Sequence, residues 1–256
     1  MITTIFAIAK NTYRETSRDR ILLSALFVII AIILFTLFIA SISLEQSTRM
    51  IIDFGVTAIY ALQMFVAIFI GSMLIYKEIE RKTFYLLLPK PVSRIQIIIG
   101  KCLGLTATTI LVTLVSTIFL FLTLYVQSGH THALAIITSL YLSTLESVLI
   151  ILISMLFSSI TSPILASLAT VAFFFVGHAG DIFRYIFMTT KSTLIEVIAK
   201  AIYYILPNFE KFNIRNDIIY GTFPSHLSLV VTTFYAIAYA LLLLSITQIA
   251  FKKKDF

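Results

Sequence analysis

The chain is predicted to be an all-α integral membrane protein with six transmembrane helices, on three observations. Hydrophobic residues make up 59% of it and charged residues 12%, against roughly 25% charged in a soluble domain. Its mean hydropathy is +1.03. Apolar runs of about 20 residues, enough for a helix to cross ~30 Å of hydrocarbon, recur from one end to the other. They fall near 21–43, 56–76, 97–125, 134–157, 161–178 and 228–251. The fifth is short and carries Pro163, Gly177 and Gly180, so it is expected to be broken or not to cross alone. No linker or internal repeat divides residues 1–256, which read as one integral domain.

Ahead of the first span, residues 2–16 are predicted to form an amphipathic helix. Ile2, Ile5, Phe6, Ala9 and Tyr13 recur at helical spacing, while Lys10, Asn11, Arg14, Ser17 and Arg18 fall mostly on the other side. Such a helix suits the plane of an anionic membrane surface; the plainer reading is a solvated lead-in. Arg18, Asp19 and Arg20 then mark the water boundary. These twenty residues are charged and the following apolar run exceeds a signal-peptide core of about 7 to 15 residues, so the first span is expected to stay in the protein.

Lysine and arginine beside the span ends set the orientation. With the N-terminus inside, the inner segments hold Lys10, Arg14, Arg18 and Arg20, then Lys77, Arg81, Lys82, Lys90, Arg94 and Lys101, then Lys252, Lys253 and Lys254, thirteen of the 19 basic residues. Five of the others lie in the long last loop, a length the rule constrains weakly. Both termini are therefore expected in the cytoplasm. The net charge of +7 follows the span ends and implies no nucleic-acid partner.

The outer loop, residues 179–227, carries helix signals of its own. Thr193 and Glu196 have capping-box spacing ahead of an apolar-periodic run. Leu194, Ile195, Ile198, Ala201, Ile202 and Ile205 share a face suited to the outer leaflet or to neighbouring spans. Pro207 ends that helix, 214–220 reads as a short second one stopped by Gly221, and Ser225 as a cap for the last span.

Few residues suggest chemistry. The single cysteine, Cys102, excludes an internal disulfide and a cysteine-based metal site, and reads as a packing residue. His130 and His132 have no third ligand nearby, so no metal site is expected. His178 and Asp181 lie within helical reach of each other but lack a nucleophile, and neither H-E-x-x-H nor G-x-S-x-G occurs. Glu146 is the one acid deep inside a span, where an ionisable group is costly and by default functional. Ser139, Ser143, Ser147 and Ser154 recur near its face, as do Thr106, Thr109, Thr113 and Thr117 on the third span. Small polar residues so placed let helices approach and hydrogen-bond; the rival reading is a substrate path or proton relay through Glu146.

The longest charged patch between two spans is KEIERKTFYLLLPKPVSRIQIIIGK, residues 77–101. Glu78 and Lys82 form a favourable i,i+4 pair, Pro89 and Pro91 force a turn, and Ser93 with Gln96 starts the third span as a capping box. The shape implied is a helix, a proline turn and a rising helix, with an apolar edge at Tyr85–Leu88 in a basic rim. It reads either as a topological anchor or as a plug for a cytoplasmic partner.

This run resembles the segment between spans two and three of ABC-2 type transporter permeases, in its acidic–basic cluster, its Thr, its leucines, its Pro-Val-Ser-Arg and its later Gly-Lys. The N-terminal AIAKNTYRETSRDRILL is similar to that family's elbow helix, above all in the permeases linked to multicopper-enzyme and nitrous-oxide-reductase maturation. The resemblance implies a half-transporter of the bacterial inner membrane that dimerises and docks a separate ATPase. Glu78, Glu80, Arg81, Lys82 and Thr83 would lie on a coupling helix, with Pro91, Ser93 and Arg94 in its return, and Lys10, Arg14, Arg18 and Arg20 on the elbow at the membrane surface. The chain lacks G-x-x-x-x-G-K-[ST]: Gly100-Lys101 is followed by Cys102 and preceded by Ile95 where the first glycine belongs. ATP and Mg²⁺ are therefore expected on a partner, and the chain is expected to be no enzyme. Rival readings are a subunit that relays motion to an extracytoplasmic protein bound at 179–227, and an intramembrane enzyme using Glu146, His178 or Asp181.

Overall fold

The computed structural model describes residues 2–42, 47–80, 93–128, 133–190, 192–220 and 223–252, with no β-strand among them. Helix α1 spans Ile2–Ser17 and α2 Arg20–Ile42. Asp19 caps α2, its Oδ1 accepting from Ile21 N at 2.9 Å. The second span begins at Ser47 rather than near 56: α3 (Ser47–Phe65) continues through a π-helical turn (Val66–Ile70) into α4 (Gly71–Glu80). Arg49 and Asp53 depress the hydropathy there, but they share an exposed face while Ile51 and Ile52 turn inward, so the helix extends past the apolar run.

The remaining helices are α5 (Arg94–Ser128), α6 (Ala133–Ile160), α7 (Pro163–His178), α8 (Gly180–Thr189), α9 (Thr193–Ile205), α10 (Arg215–Tyr220) and α11 (His226–Lys252), with a 3₁₀ turn at Phe209–Phe212. Five helices are long and apolar enough to cross a membrane, and α7 with α8, bent by 56° at their junction, makes up to a sixth. The expected break in the fifth span is therefore real. Pro163 stands in the first turn of α7, where its missing N–H costs nothing.

The bundle is built around α3 and α6. In the most apolar stretches of the Ser47–Tyr76 span and of α6, 78% and 67% of residues are buried, against 17% in both α2 and α11. Lipid is as apolar as leucine, so hydrophobicity cannot choose the central helices; small and hydrogen-bonding residues do. Ser139, Ser143, Ser147 and Ser154 are all buried on α6, and Thr109, Thr113 and Thr117 on α5. The peripheral helices instead turn Phe27, Phe35 and Phe38, or Phe234 and Leu241, outward. Cys102 is buried, as a packing residue should be.

Helix α1 packs lengthwise on α5. A Cβ at Gly100 would meet Ile8 Cβ at 2.8 Å, and one at Gly104 would meet Ala9 O and Thr12 Cβ at 2.6 Å. One turn further, Thr16 Oγ1 and Thr108 Oγ1 are hydrogen-bonded at 2.6 Å. This small-xxx-small spacing lets two backbones touch. The end of the bundle holding α1, the close of α4 and the start of α5 is called the basic end below, and the opposite end the far end.

At the far end α9 is capped at Ser192 rather than Thr193, with no side-chain bond in the cap. Glu196 bonds Lys200 at 2.6 Å instead of reaching back, and that hydrogen bond holds the exposed Lys200 ammonium above its ordinary range. Leu194, Ile195, Ile198 and Ile205 are exposed rather than turned onto neighbouring spans. Helix α9 ends before Pro207 as expected, and Ser225 Oγ accepts from Ser228 N at the start of α11.

Candidate functional site

Helices α3, α6, α7 and α10 bring four polar side chains together in mid-bundle. Tyr60 and Glu146 lie about 20 Å of helix below the far-end starts of α3 and α6, at 1.5 Å per residue. Tyr60 Oη donates to Glu146 Oε1 at 2.8 Å, across 86 residues of sequence. His178, the last residue of α7, places Nε2 3.3 Å from Tyr60 Oη and 3.4 Å from Glu146 Oε1. The Arg215 guanidinium lies 3.9 Å from the centroid of the Tyr60 ring. A cation over the ring draws charge from the phenol and makes its hydroxyl a stronger donor to the carboxylate.

Phe174 O, 3.1 Å from His178 Nδ1, accepts a proton held on that nitrogen. An unprotonated Nε2 would then face Oε1 lone pair to lone pair. One further proton between the imidazole and the carboxyl removes that repulsion, so the three atoms have room for a proton besides the phenol's. Glu146 is 1% exposed and its Oε2 has no partner. The arrangement can store a proton or tie helices together. Among the described residues no three potential metal ligands cluster.

The loop between α9 and α11 folds into the bundle to meet this cluster. Phe209 and Phe212 are fully buried. Phe209 lies against His178 and Phe173, with centroids at 5.7 and 6.5 Å. A Cβ at Gly177 would collide with the Phe209 ring, and one at Gly180 would meet Asn208 Nδ2 at 2.8 Å. The two glycines that mark the broken span are thus the places where this loop touches α7 and α8. Tyr235 Oη accepts from Asn208 N at 2.7 Å, and the Lys211 ammonium lies 4.2 Å from the Tyr235 ring centroid. Glu210, Asn213 and Arg215 are joined by hydrogen bonds of 3.0 Å each, so polar contacts run from the loop to Tyr60.

Below the cluster α3 and α4 bond to their neighbours turn by turn. Gln63 Nε2 donates to Thr113 Oγ1 at 2.8 Å and Thr144 Oγ1 at 3.1 Å. Ser154 Oγ donates to Ala67 O, inside the π-helical turn, at 2.9 Å, and Ser158 Oγ donates to Ser72 O. At Gly71 a Cβ would strike the Ser154 hydroxyl, so only glycine allows the approach. The series ends where the buried Lys101 Nζ donates to Leu74 O at 2.8 Å. From Tyr60 to Leu74 it covers about 21 Å of helix.

At the basic end, α4 extends through Glu78 to Glu80, and α5 restarts at Arg94 behind Ser93. The capping box is seen in part: Gln96 Oε1 accepts from Ser93 N at 2.9 Å. Arg81, Lys82, Thr83 and Pro91, with the rest of 81–92, and His130 and His132, lie outside the described residues, as does the side-chain pairing of Glu78 with Lys82. Lys10, Arg14 and Arg18 are exposed on or just after α1, and Arg20 is exposed at the start of α2. His178 pairs with Glu146 and Tyr60 rather than with Asp181, which is exposed on the first turn of α8. Sequence reasoning found Glu146 and missed Tyr60, Arg215 and Phe209. Tyr60 and Gln63, polar at i,i+3 inside an apolar run, were a usable signal; nothing local marks Arg215.

A multi-pass helical membrane protein with a polar seam and no phosphate loop is the class this architecture defines. Residues 6–256 match the family model described as ABC-2 family transporter protein, and the chain belongs to that family. It is a permease subunit, a membrane component of a kind typically not catalytic itself. No curated protein matches it closely enough to count as a relative.

Proposed function

We propose that the chain is the membrane-spanning half of an ATP-driven exporter in the bacterial inner membrane. Two copies work with a separate cytoplasmic ATPase that supplies ATP and Mg²⁺ chemistry, and residues 77–94 are its docking element. Both termini, and so the basic end, face the cytoplasm. The reading is supported above all by the Lys101–Leu74 bond, which ties the two helical arms bracketing that element. A push on that element is then carried into α4 and α5 together, and through the Ser158, Ser154 and Gln63 bonds towards Glu146.

The test is co-purification. The ATPase is expected to accompany the wild-type permease and to be lost, at least tenfold, from a Glu78→Lys, Arg81→Glu double variant that still assembles in the membrane. A wild-type complex purified without any ATPase would overturn the reading. A second reading, relay of motion to an extracytoplasmic protein without transport, is favoured by one observation: α9 leaves Leu194, Ile198 and Ile205 exposed, next in the chain to the loop that buries Phe209 and Phe212. Stimulation of ATP hydrolysis by a candidate substrate in sealed vesicles favours transport; stimulation only by an added extracytoplasmic protein favours relay.

A further inference from the structure

Three buried polar atoms have no hydrogen-bond partner among the described residues: Gln63 Oε1, Ser116 Oγ and Glu146 Oε2. They belong to α3, α5 and α6, and the packing of those helices brings their residues to one level. Gly55 faces Leu120, Gln63 bonds Thr113 and Gly71 faces Leu105, so α3 and α5 run antiparallel in a single register. That register sets Ser116 level with Tyr60, on the stripe of α5 that carries Thr113 and Leu120 towards α3. Glu146 bonds Tyr60, and Gln63 follows Tyr60 by about 4.5 Å of helix. The side chains that α5 and α6 bring here are small, with Thr144 and Ser147 beside Ser116.

Neighbouring bonds fix the role of each atom. Thr113 and Thr144 donate their hydroxyl protons to Thr109 O and Leu140 O. The Gln63 group that meets both hydroxyls is therefore its NH₂, which leaves Oε1 an acceptor. The phenol proton and the proton shared with His178 both lie at Glu146 Oε1, so Oε2 is an acceptor too. Thr113 and Thr117 bond back to their own helix, whereas the Ser116 hydroxyl between them does not. Two buried acceptors without donors are costly. A water molecule supplies two O–H groups and a lone pair, and at such places makes about three hydrogen bonds. A cation is the poorer match, because the Arg215 guanidinium already stands over the Tyr60 ring.

We propose that one buried water molecule is bound between α3, α5 and α6, donating to Gln63 Oε1 and Glu146 Oε2 and accepting from Ser116 Oγ. It joins α5 to the cluster that α3, α6, α7 and α10 form.

X-ray radiolysis of the purified permease tests this, because hydroxyl radicals made from a bound water oxidise the side chains beside it, as read by mass spectrometry. Tyr60 and Phe212 are both buried, but only Tyr60 lies at the proposed site. Tyr60 is expected to be oxidised about fivefold faster than Phe212. Ser116→Val, which fills the space and removes the hydroxyl, should bring the Tyr60 rate down to that of Phe212. Ser116→Ala keeps the space and both acceptors, and should lower the rate only slightly. A Tyr60 rate in the wild type no higher than that of Phe212 overturns the proposal whether or not the variants fold. So does a rate that Ser116→Val leaves unchanged in a folded protein. A rate that collapses when sodium and potassium are replaced by choline also overturns it, by assigning the site to a cation.

Discussion

The basic end and the mid-bundle cluster solve the same problem on different plans. At the basic end each signal is local: a cap within four residues, a proline turn, and basic residues beside apolar spans. The cluster instead draws Tyr60, Glu146, His178 and Arg215 from four helices, with 118 residues between Tyr60 and His178 alone. Its parts become polar neighbours only after the bundle closes and the loop at 206–215 folds in. A local device can be read before folding; a converging one exists only because of packing. The difference also predicts how each fails, since a local contact is lost alone while a convergent one takes its neighbours with it.

The largest expected effect is at the loop that completes the cluster. Phe209→Ala should cost about 3–5 kcal/mol, as for other buried phenylalanines, seen as lower resistance to thermal unfolding in detergent. Amide exchange at 208–213 should rise with it. Unchanged exchange there would mean that the bond from Asn208 N to Tyr235 Oη suffices to seat the loop.

Next comes Lys101→Met, which fills much of the same space and removes the charged donor that Leu74 O accepts from beside its own helical bond. A cost of about 1–3 kcal/mol is expected, with faster exchange confined to the last turns of α4. If exchange also rises around Tyr60, the basic end and the cluster form one cooperative unit and the contrast drawn above weakens.

The smallest effect concerns the pair at the centre. A double-mutant cycle of Tyr60→Phe and Glu146→Gln should give a coupling of about 0.6–1.7 kcal/mol, the range for hydrogen bonds between membrane helices. A coupling near zero would show that Glu146 has equivalent donors in both states, and would move the burden of the cluster to His178.

Much of this was legible beforehand. The six apolar stretches, the break after Pro163, the Ser93–Gln96 and Ser225 caps and the stop at Pro207 all follow from local chemistry. The capping box at Thr193 misled because Thr193 is itself the first helical residue, which leaves Ser192 at the cap, and Glu196 has Lys200 within one turn as a partner. The start of the second span misled because Arg49 and Asp53 lower hydropathy without ending a helix that can keep both on one exposed face. His178 lies within helical reach of Asp181 in the sequence, whereas in the structure it meets Glu146 and Tyr60.

The sequence by itself determined that the chain is helical and lies in a membrane, because bilayers admit few backbone solutions and apolar length is a local property. Only the tertiary structure decided which of the apolar helices are central, since lipid and leucine compete on equal terms and small polar contacts choose the partners. Only it decided that Glu146 meets a phenol, an imidazole and, through the phenol ring, a guanidinium. Those neighbours come from helices whose approach no local pattern encodes.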